Sequence, residues 1–339
     1  ALALVARGRR VAVLTGPAEG PRGPVPYTVV EVPRFAPREL TAARGRLGPV
    51  RRWLLQWVPH AFGFKSVNAA LVAWVVARPE PLWTMFHEVA LPLGPGHPPA
   101  HRAAAIAHRA MAFALGRRSG RVLVSTPAWT RITGVPAARA EWFPVPANVA
   151  LAEDTPRARE GRVVAHFGTY GAEIGARLRE AVAVLVPALP GDVSLVLTGR
   201  GSRRFADALP EPLRGRVRAT GGLPGAEVAA VLARATLALQ PYPDGITTRR
   251  GSAMAALRVG TPLVTETGAL SEGFWPRVPG VFLAEGEGGL ARTALARLEA
   301  AAAPGLRGEL RAFYARWLSI ENTVRRLEGP ADPRWSIEP

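Results

Sequence analysis

The chain has 339 residues, of which 48% are hydrophobic and none is cysteine, with a formal charge of +17. At roughly 150 residues per domain this length fits two domains, and the apolar content excludes disorder as the main state. The lack of cysteine excludes disulfides, thiol nucleophiles and iron–sulfur clusters and fits a reducing cytoplasm, while the charge admits a nucleic acid, an anionic membrane surface or a phosphorylated substrate as partner.

That charge is almost all arginine, Lys65 being the only lysine, and residues 1–160 carry +12 of it. Such a bias suggests a GC-rich genome and weakens inference from basicity. Ala1 to Ala6 read as the end of a helix that runs through Arg7, Arg9 and Arg10 into a strand over 10–15. A signal peptide has its basic end first, so this is not one, and the first strand of the domain is expected to be missing. Further strands are predicted at 27–32, 82–87 and 121–125, and helices at 67–76 and 102–115. This alternation argues for a parallel α/β sheet. Between them, RRWLLQWVPHAFGF (51–64) sets Arg51 and Arg52 beside Trp53, Leu54, Leu55, Trp57, Val58, Phe62 and Phe64. That composition suits peripheral docking on an anionic membrane, or an apolar acceptor pocket and core. No apolar run approaches the roughly 20 residues of a membrane span.

Val149 to Gly161 lacks either periodicity and is expected as a linker. A second α/β pattern follows, with strands at 163–167, 193–198, 216–220, 236–240, 262–265 and 281–284. Its helices are predicted at 174–186, 225–235 and 249–259. The expected organisation is α/β, with two doubly wound Rossmann-like domains (1–150 and 151–305) facing a cleft. Arginine-rich helices over 306–339, broken near Ser319, are expected to cross back to the first domain. In such sheets ligands bind outside the carboxyl ends of the strands.

The most informative stretch is LQPYPDGITTRRGSAMAALRVGTPLVTETG (239–268). A strand ends at Gln240, a loop with two prolines and Gly245 follows, and Thr247 or Thr248 is placed to cap a helix headed by Arg249 and Arg250. Helix N–H groups, the positive end of the helix dipole and two guanidiniums then converge, which suits a diphosphate. An ordinary capped helix with solvated arginines is the bland alternative. Neighbours on a helix point about 100° apart, so one arginine, Arg250, is expected to contact phosphate and the other solvent or the acceptor domain. No Asp-x-Asp, Gly-x-Ser-x-Gly or P-loop signature occurs, and His97, His101 and His108 read as surface residues without a metal-completing carboxylate.

This segment resembles the donor loop of GT-B glycosyltransferases, in particular the retaining enzymes of family four. Ala253-Met254-Ala255 and Gly260-Thr261-Pro262 match that family's pattern. Asp244 falls on its first acidic position, which faces the donor sugar. Ser252 falls on its second, which binds the ribose, and a serine cannot make a bidentate carboxylate contact there. His166 to Gly171 resembles the first strand and phosphate-side loop of the nucleotide-binding domain. Val196 to Gly201 resembles the second strand and its turn, and Gly222-Leu223-Pro224 the turn that contacts the base.

The resemblance implies a sugar transferase using a nucleotide-diphosphate sugar as co-substrate, with retention and with no metal or other cofactor. The acceptor would be a glycan, a lipid-linked molecule or a small molecule, with no nucleic-acid partner and a cytoplasmic location that extends to the inner face of the membrane. The donor-side residues it implies are Gly168, Thr169, Tyr170, Gly171, Gly199, Arg200, Gly201, Leu223, Gly245, Ile246, Thr247, Thr248, Arg249, Arg250 and Ser252. His87 at the end of a strand, with Glu88 beside it on the acceptor side, would act together with Asp244 as the catalytic set. An imidazole there can bond a sugar hydroxyl or handle a proton near neutral pH. Two rivals are a noncatalytic protein of the same fold, given Ser252, and a polyanion-binding protein, given the charge. Against the latter, the aromatic residues show no stacking pattern and no nucleic-acid module is present.

Overall fold

The computed structural model describes residues 1–17, 23–94, 96–149 and 162–337. The chain divides into two compact units, Ala1–Phe143 with Val324–Ser336, and Pro144–Thr323 with Ile337 onward. The division falls at Phe143/Pro144 rather than within the expected linker, most of which (150–161) lies outside the described residues. It also leaves the helix Leu306–Trp317 in the second unit and returns only residues 324–336 to the first.

In the first unit, β1 (Ala12–Thr15) and β2 (Thr28–Glu31) form a parallel pair. A four-stranded parallel sheet follows in the order β3 (Trp53–Trp57), β4 (Leu82–Phe86), β5 (Arg121–Val124), β6 (Ala140–Trp142). β3, β6 and the helix Pro37–Gly45 lie where no element was expected. WLLQW has no period-2 alternation because the strand is partly covered on both faces, and AEW is too short to carry a pattern. In the second unit, β7 (Arg162–Phe167), β8 (Val193–Thr198), β9 (Val217–Gly221), β10 (Leu237–Gln240), β11 (Leu263–Glu266) and β12 (Val281–Ala284) form one parallel sheet. Its order is β12-β11-β10-β7-β8-β9. Successive residues of β7 point to opposite faces. Val164 joins a core built with helices Ala172–Ala188 and Gly289–Ala301, and Ala165 joins one built with helices Gly225–Arg234 and Gly251–Val259. Burial on both faces explains why these strands read as unbroken apolar runs.

A buried ion pair closes the first unit. Arg121 at the start of β5 bonds Glu141 of β6 through Nε–Oε1 at 2.7 Å and Nη2–Oε2 at 2.5 Å. Both side chains are almost fully buried. Arg121 Nη1 also donates to the carbonyls of Leu327 and Gly329 at 2.8 and 3.0 Å, and the Asp332 N–H donates to Glu141 Oε2 at 3.0 Å. Arg326 donates to the Trp142 carbonyl and lies 3.4 Å from the Trp335 ring, and burial pulls its pKa down to about 10. The C-terminal segment is therefore tied to β5 and β6 by charge-assisted bonds. Arg121→Ala leaves Glu141 buried without its cation and should cost about 3–5 kcal/mol in urea denaturation. An Arg121→Met, Glu141→Leu double variant should recover most of that loss.

Candidate functional site

In the second unit β7 and β10 are neighbours, but the chain continues from β7 towards β8 on one side and from β10 towards β11 on the other. The loops leaving their carboxyl ends diverge, and a crevice at such a reversal of strand order is where open α/β sheets bind ligands. These loops are Gly168–Gly171 and Pro241–Arg250. Side chains tie the two strands together here. Gln240 Nε2 donates to the Phe167 carbonyl at 3.0 Å. The His166 Nδ1 lies 2.8 Å from the Leu239 carbonyl. A ring nitrogen facing a carbonyl must carry the hydrogen, and burial pushes the His166 pKa down to about 4, so the ring is neutral with Nε2 an acceptor. That Nε2 is buried without a hydrogen-bond partner. It faces Gly168, where a Cβ would lie 3.5 Å from it and 3.7 Å from Ser252 Oγ.

The loop after β10 is held by backbone packing. A Cβ on Gly245 (φ +83°) would lie 2.0 Å from the Gly268 nitrogen, so only glycine lets the two turns touch. The N–H groups of Gly245 and Ile246 donate to the carbonyls of Tyr242 and Glu266 at 2.9 and 2.8 Å, and the Ile246 side chain is fully buried. Neither threonine caps the helix. Thr248 donates its N–H and its hydroxyl to Glu272 Oε1 at 3.1 and 2.8 Å, while Thr247 Oγ1 is buried without a partner. Glu272 also accepts from Trp275 Nε1 at 2.8 Å. This carboxylate is the loop's anchor and sequence reasoning missed it; its one signal is an acid directly before Gly273-Phe274-Trp275.

The helix begins at Gly251 rather than Arg249, with Arg250 as an N-cap that has no side-chain capping bond. The expected 100° divergence of the two arginines therefore does not apply, because neither lies in the helix. Both guanidiniums instead turn to one carboxylate. Arg250 Nη2 lies 3.1 Å and Arg249 Nη2 3.5 Å from Asp244 Oδ2. The arginine side chains are 18% and 15% exposed, the aspartate 51%, so they are lodged at the helix head and not solvated. The Arg250 guanidinium lies 4.9 Å from the ring of Tyr242, whose hydroxyl is 2.7 Å from Ser252 Oγ. Burial pushes Tyr242 up to about 12, so this is a neutral hydroxyl pair.

The β8 turn packs against the β7 loop. Gly199 (φ +119°) has no room for a Cβ, which would fall 2.2 Å from the Gly168 carbonyl oxygen. Tyr170 folds inward, its hydroxyl donating to the Thr198 carbonyl at 3.2 Å and its ring against His166 and Phe205. Thr169, Gly171, Arg200 and Gly201 are exposed, and Leu223 is half-buried against the helix-side core.

In the first unit His87 follows β4 directly. Its Nε2 lies 2.7 Å from Gln56 Oε1, its carbonyl accepts from Ser125 Oγ and Trp129 Nε1, and burial lowers its pKa. Gln56, missed from sequence, makes Nε2 the protonated nitrogen and leaves Nδ1 as the acceptor. Glu88 is half-buried beside it, its N–H 3.5 Å from the Trp57 carbonyl. His108 corrects an expectation, because it is fully buried, with Nδ1 accepting from the Leu91 N–H at 3.3 Å and Nε2 bonded to Ser66 Oγ at 2.9 Å. It lies on the inner face of the helix Pro99–Arg118. His97 and His101 stack 4.1 Å apart. Among the described residues no group of three acids or histidines could hold a metal, and no helix is long and apolar enough to cross a membrane. In the 51–64 stretch Trp57 is fully buried and Phe62 stacks on it at 5.6 Å, while Phe64 is 53% exposed.

The sequence matches no protein-family model and no curated protein. Solved structures do resemble it along nearly its whole length. Sucrose-phosphate synthase from Thermosynechococcus elongatus shares 16% identity at TM-score 0.70, covering 96% of this chain and 89% of that one. WaaG, a glycosyltransferase involved in lipopolysaccharide biosynthesis, shares 16% at 0.65, covering 96% and 92%. A putative UDP-N-acetylglucosamine 2-epimerase from Listeria monocytogenes shares 13% at 0.52, covering 89% and 80%. At these identities what is shared is the architecture: the chain has the GT-B fold, with two Rossmann-like α/β units. Activity has to be argued from the site.

Burial pushes Glu272 up to about 7 from an ordinary 4.5. The folded state then binds a proton that the unfolded state has released. The group's contribution is full below about pH 4.5 and is lost as pH rises through 7. Glu272→Gln removes that slope, so the variant should gain on the wild type by up to about 3 kcal/mol between pH 4.5 and 8 in denaturant titrations. A stability difference that stays constant with pH would contradict the assignment.

Proposed function

We propose that the protein is a glycosyltransferase that moves a sugar from a nucleotide-diphosphate donor, held by the second unit, to an acceptor hydroxyl. The observation that carries this reading is the convergence at the β7/β10 switch point. Two lodged guanidiniums and an uncapped nine-residue helix head meet there, beside the exposed Gly168–Gly171 loop.

In the transfer, the bond from the anomeric carbon to the diphosphate oxygen breaks and a bond to the acceptor oxygen forms as the acceptor hydroxyl passes its proton to the departing diphosphate. Negative charge builds on the departing diphosphate. Arg249, Arg250 and the helix dipole are fixed donors for that charge, in a site whose dipoles need little rearrangement. They supply without a metal what a divalent cation supplies in other designs. Retention is what the resemblance to family four implies. His166 does not reach the sugar; its neutral ring, buried beneath the Gly168 turn, holds the ends of β7 and β10 together. The Tyr242–Ser252 pair offers one hydroxyl contact at the position where the resemblance puts the ribose, with no carboxylate. His87 in the first unit presents Nδ1 as the acceptor nitrogen, with Gln56 fixing the tautomer, and is assigned to the transferring sugar or the acceptor.

The test is a thermal-shift screen of the full chain against UDP, GDP, TDP and their sugars, followed by mass spectrometry for donor turnover. A ligand selective for the folded state must raise its stability. Arg250→Ala should lose roughly ten- to a hundredfold in nucleotide affinity, about 1.5–3 kcal/mol for a charge-assisted bond. His87→Ala should keep that affinity and lose turnover. No shift with any nucleotide, or wild-type turnover in His87→Ala, would contradict the respective assignment.

A further inference from the structure

Among the described residues Asp244 is a carboxylate that meets both site arginines, at 3.1 and 3.5 Å, and it does so from a half-exposed loop whose backbone is locked elsewhere. Its carbonyl accepts from the Leu270 N–H at 3.3 Å, and its neighbour Gly245 is wedged against Gly268. The backbone is therefore fixed while the carboxylate is free to turn at its side-chain torsions. The partners of its carboxylate are the cations that the proposed function assigns to the diphosphate.

Resting on that reading, we infer that Asp244 is a resident stand-in for the donor's diphosphate, an internal counter-ion that the incoming anion displaces from Arg249 and Arg250. The exchange has two consequences. Until a ligand arrives, the carboxylate neutralises part of the cationic site, which keeps the arginines ordered and discriminates against weak monovalent anions. Once a diphosphate takes both guanidiniums, the released carboxylate can accept a hydrogen bond from a hydroxyl of the attached sugar. One side chain then couples phosphate binding to sugar recognition. A ligand carrying the diphosphate alone bears the cost of displacement without the return.

The chemistry supports displacement over a fixed three-way pair. A diphosphate carries more charge and more acceptor oxygens than one carboxylate and can bridge two guanidiniums in bidentate fashion. A half-exposed pair, by contrast, is weak because solvent screens it. Arg250 Nε is buried without a hydrogen-bond partner, so the guanidinium retains donor capacity that Asp244 does not meet.

The test is calorimetric titration of the full chain with inorganic pyrophosphate, then with the nucleoside diphosphate and nucleotide sugar that stabilise it most. Asp244→Asn preserves shape and should bind pyrophosphate roughly three- to tenfold more tightly than wild type. The same variant should lose the preference for the nucleotide sugar over the nucleoside diphosphate. Asp244→Ala should show the same two opposite changes, which a loop that had merely lost its structure would not produce. If Arg250→Ala loses pyrophosphate affinity while both Asp244 variants bind it no more tightly than wild type, the diphosphate site stands and the counter-ion role is overturned. If pyrophosphate binds to none of the proteins, or equally to all of them, both are overturned.

Discussion

Between β7 and β10 the second sheet reverses the direction in which its strands are laid down, and every candidate donor contact hangs from that reversal. The loops that leave the two strands turn away from each other, so the crevice follows from topology before any side chain is considered. Side-chain bonds then set its depth. His166 to the Leu239 carbonyl and Gln240 to the Phe167 carbonyl lock the strand ends in register. Because that bond uses Nδ1 of a fully buried imidazole, the ring stays neutral and turns its other nitrogen towards Gly168. A strand residue thereby supports the Gly168 turn from beneath.

On this frame the loop after β10 is held by its backbone contacts. Contacts between the Asp244–Gly245 and Thr267–Gly268 turns, and the Glu272 carboxylate behind Thr248, fix where the chain runs. Against that backbone the half-exposed Asp244 carboxylate faces the guanidiniums of Arg249 and Arg250. Preorganised donors with an exchangeable counter-ion are an economical way to hold cations close together, since two guanidiniums alone would repel each other and stay solvated. The first unit follows the same logic on its own scale. There the Arg121–Glu141 pair is buried and closed by the C-terminal segment, with no ligand to release it.

Much of this was legible in the sequence, for identifiable reasons. The second unit's inner strands, such as β10 and β11, are buried on both faces and read as apolar runs; its helices carry stripes, and its glycines mark turns, so element order and the switch point could be laid out. The GT-B likeness rested on Ala253-Met254-Ala255 and Gly260-Thr261-Pro262, whose roles are set by local packing, and the solved structures share that architecture. What could not be read were long-range side-chain bonds. Nothing local to Glu272 says that it reaches Thr248, 24 residues away, and nothing in Gln56 says that it meets His87. The helix start was misplaced by two residues because its threonines look like caps, yet Thr248 is drawn to a buried carboxylate instead. That shift moved both arginines out of the helix and made their divergence the wrong expectation. His108 was misjudged because it was taken by its spacing from His97 and His101, although it lies on the stripe of Ala105, Met111, Ala112 and Leu115 that the helix buries.

The proposed transfer requires a nucleotide sugar to be held at the carboxyl ends of β7 and β10 in the second unit. Hydrogen–deuterium exchange of the full chain, with and without a saturating nucleotide sugar, tests it most directly because it reports where binding slows amide opening. Protection is expected to concentrate at 166–171, 199–201 and 244–254. Binding that leaves those segments unchanged and protects amides elsewhere would contradict it.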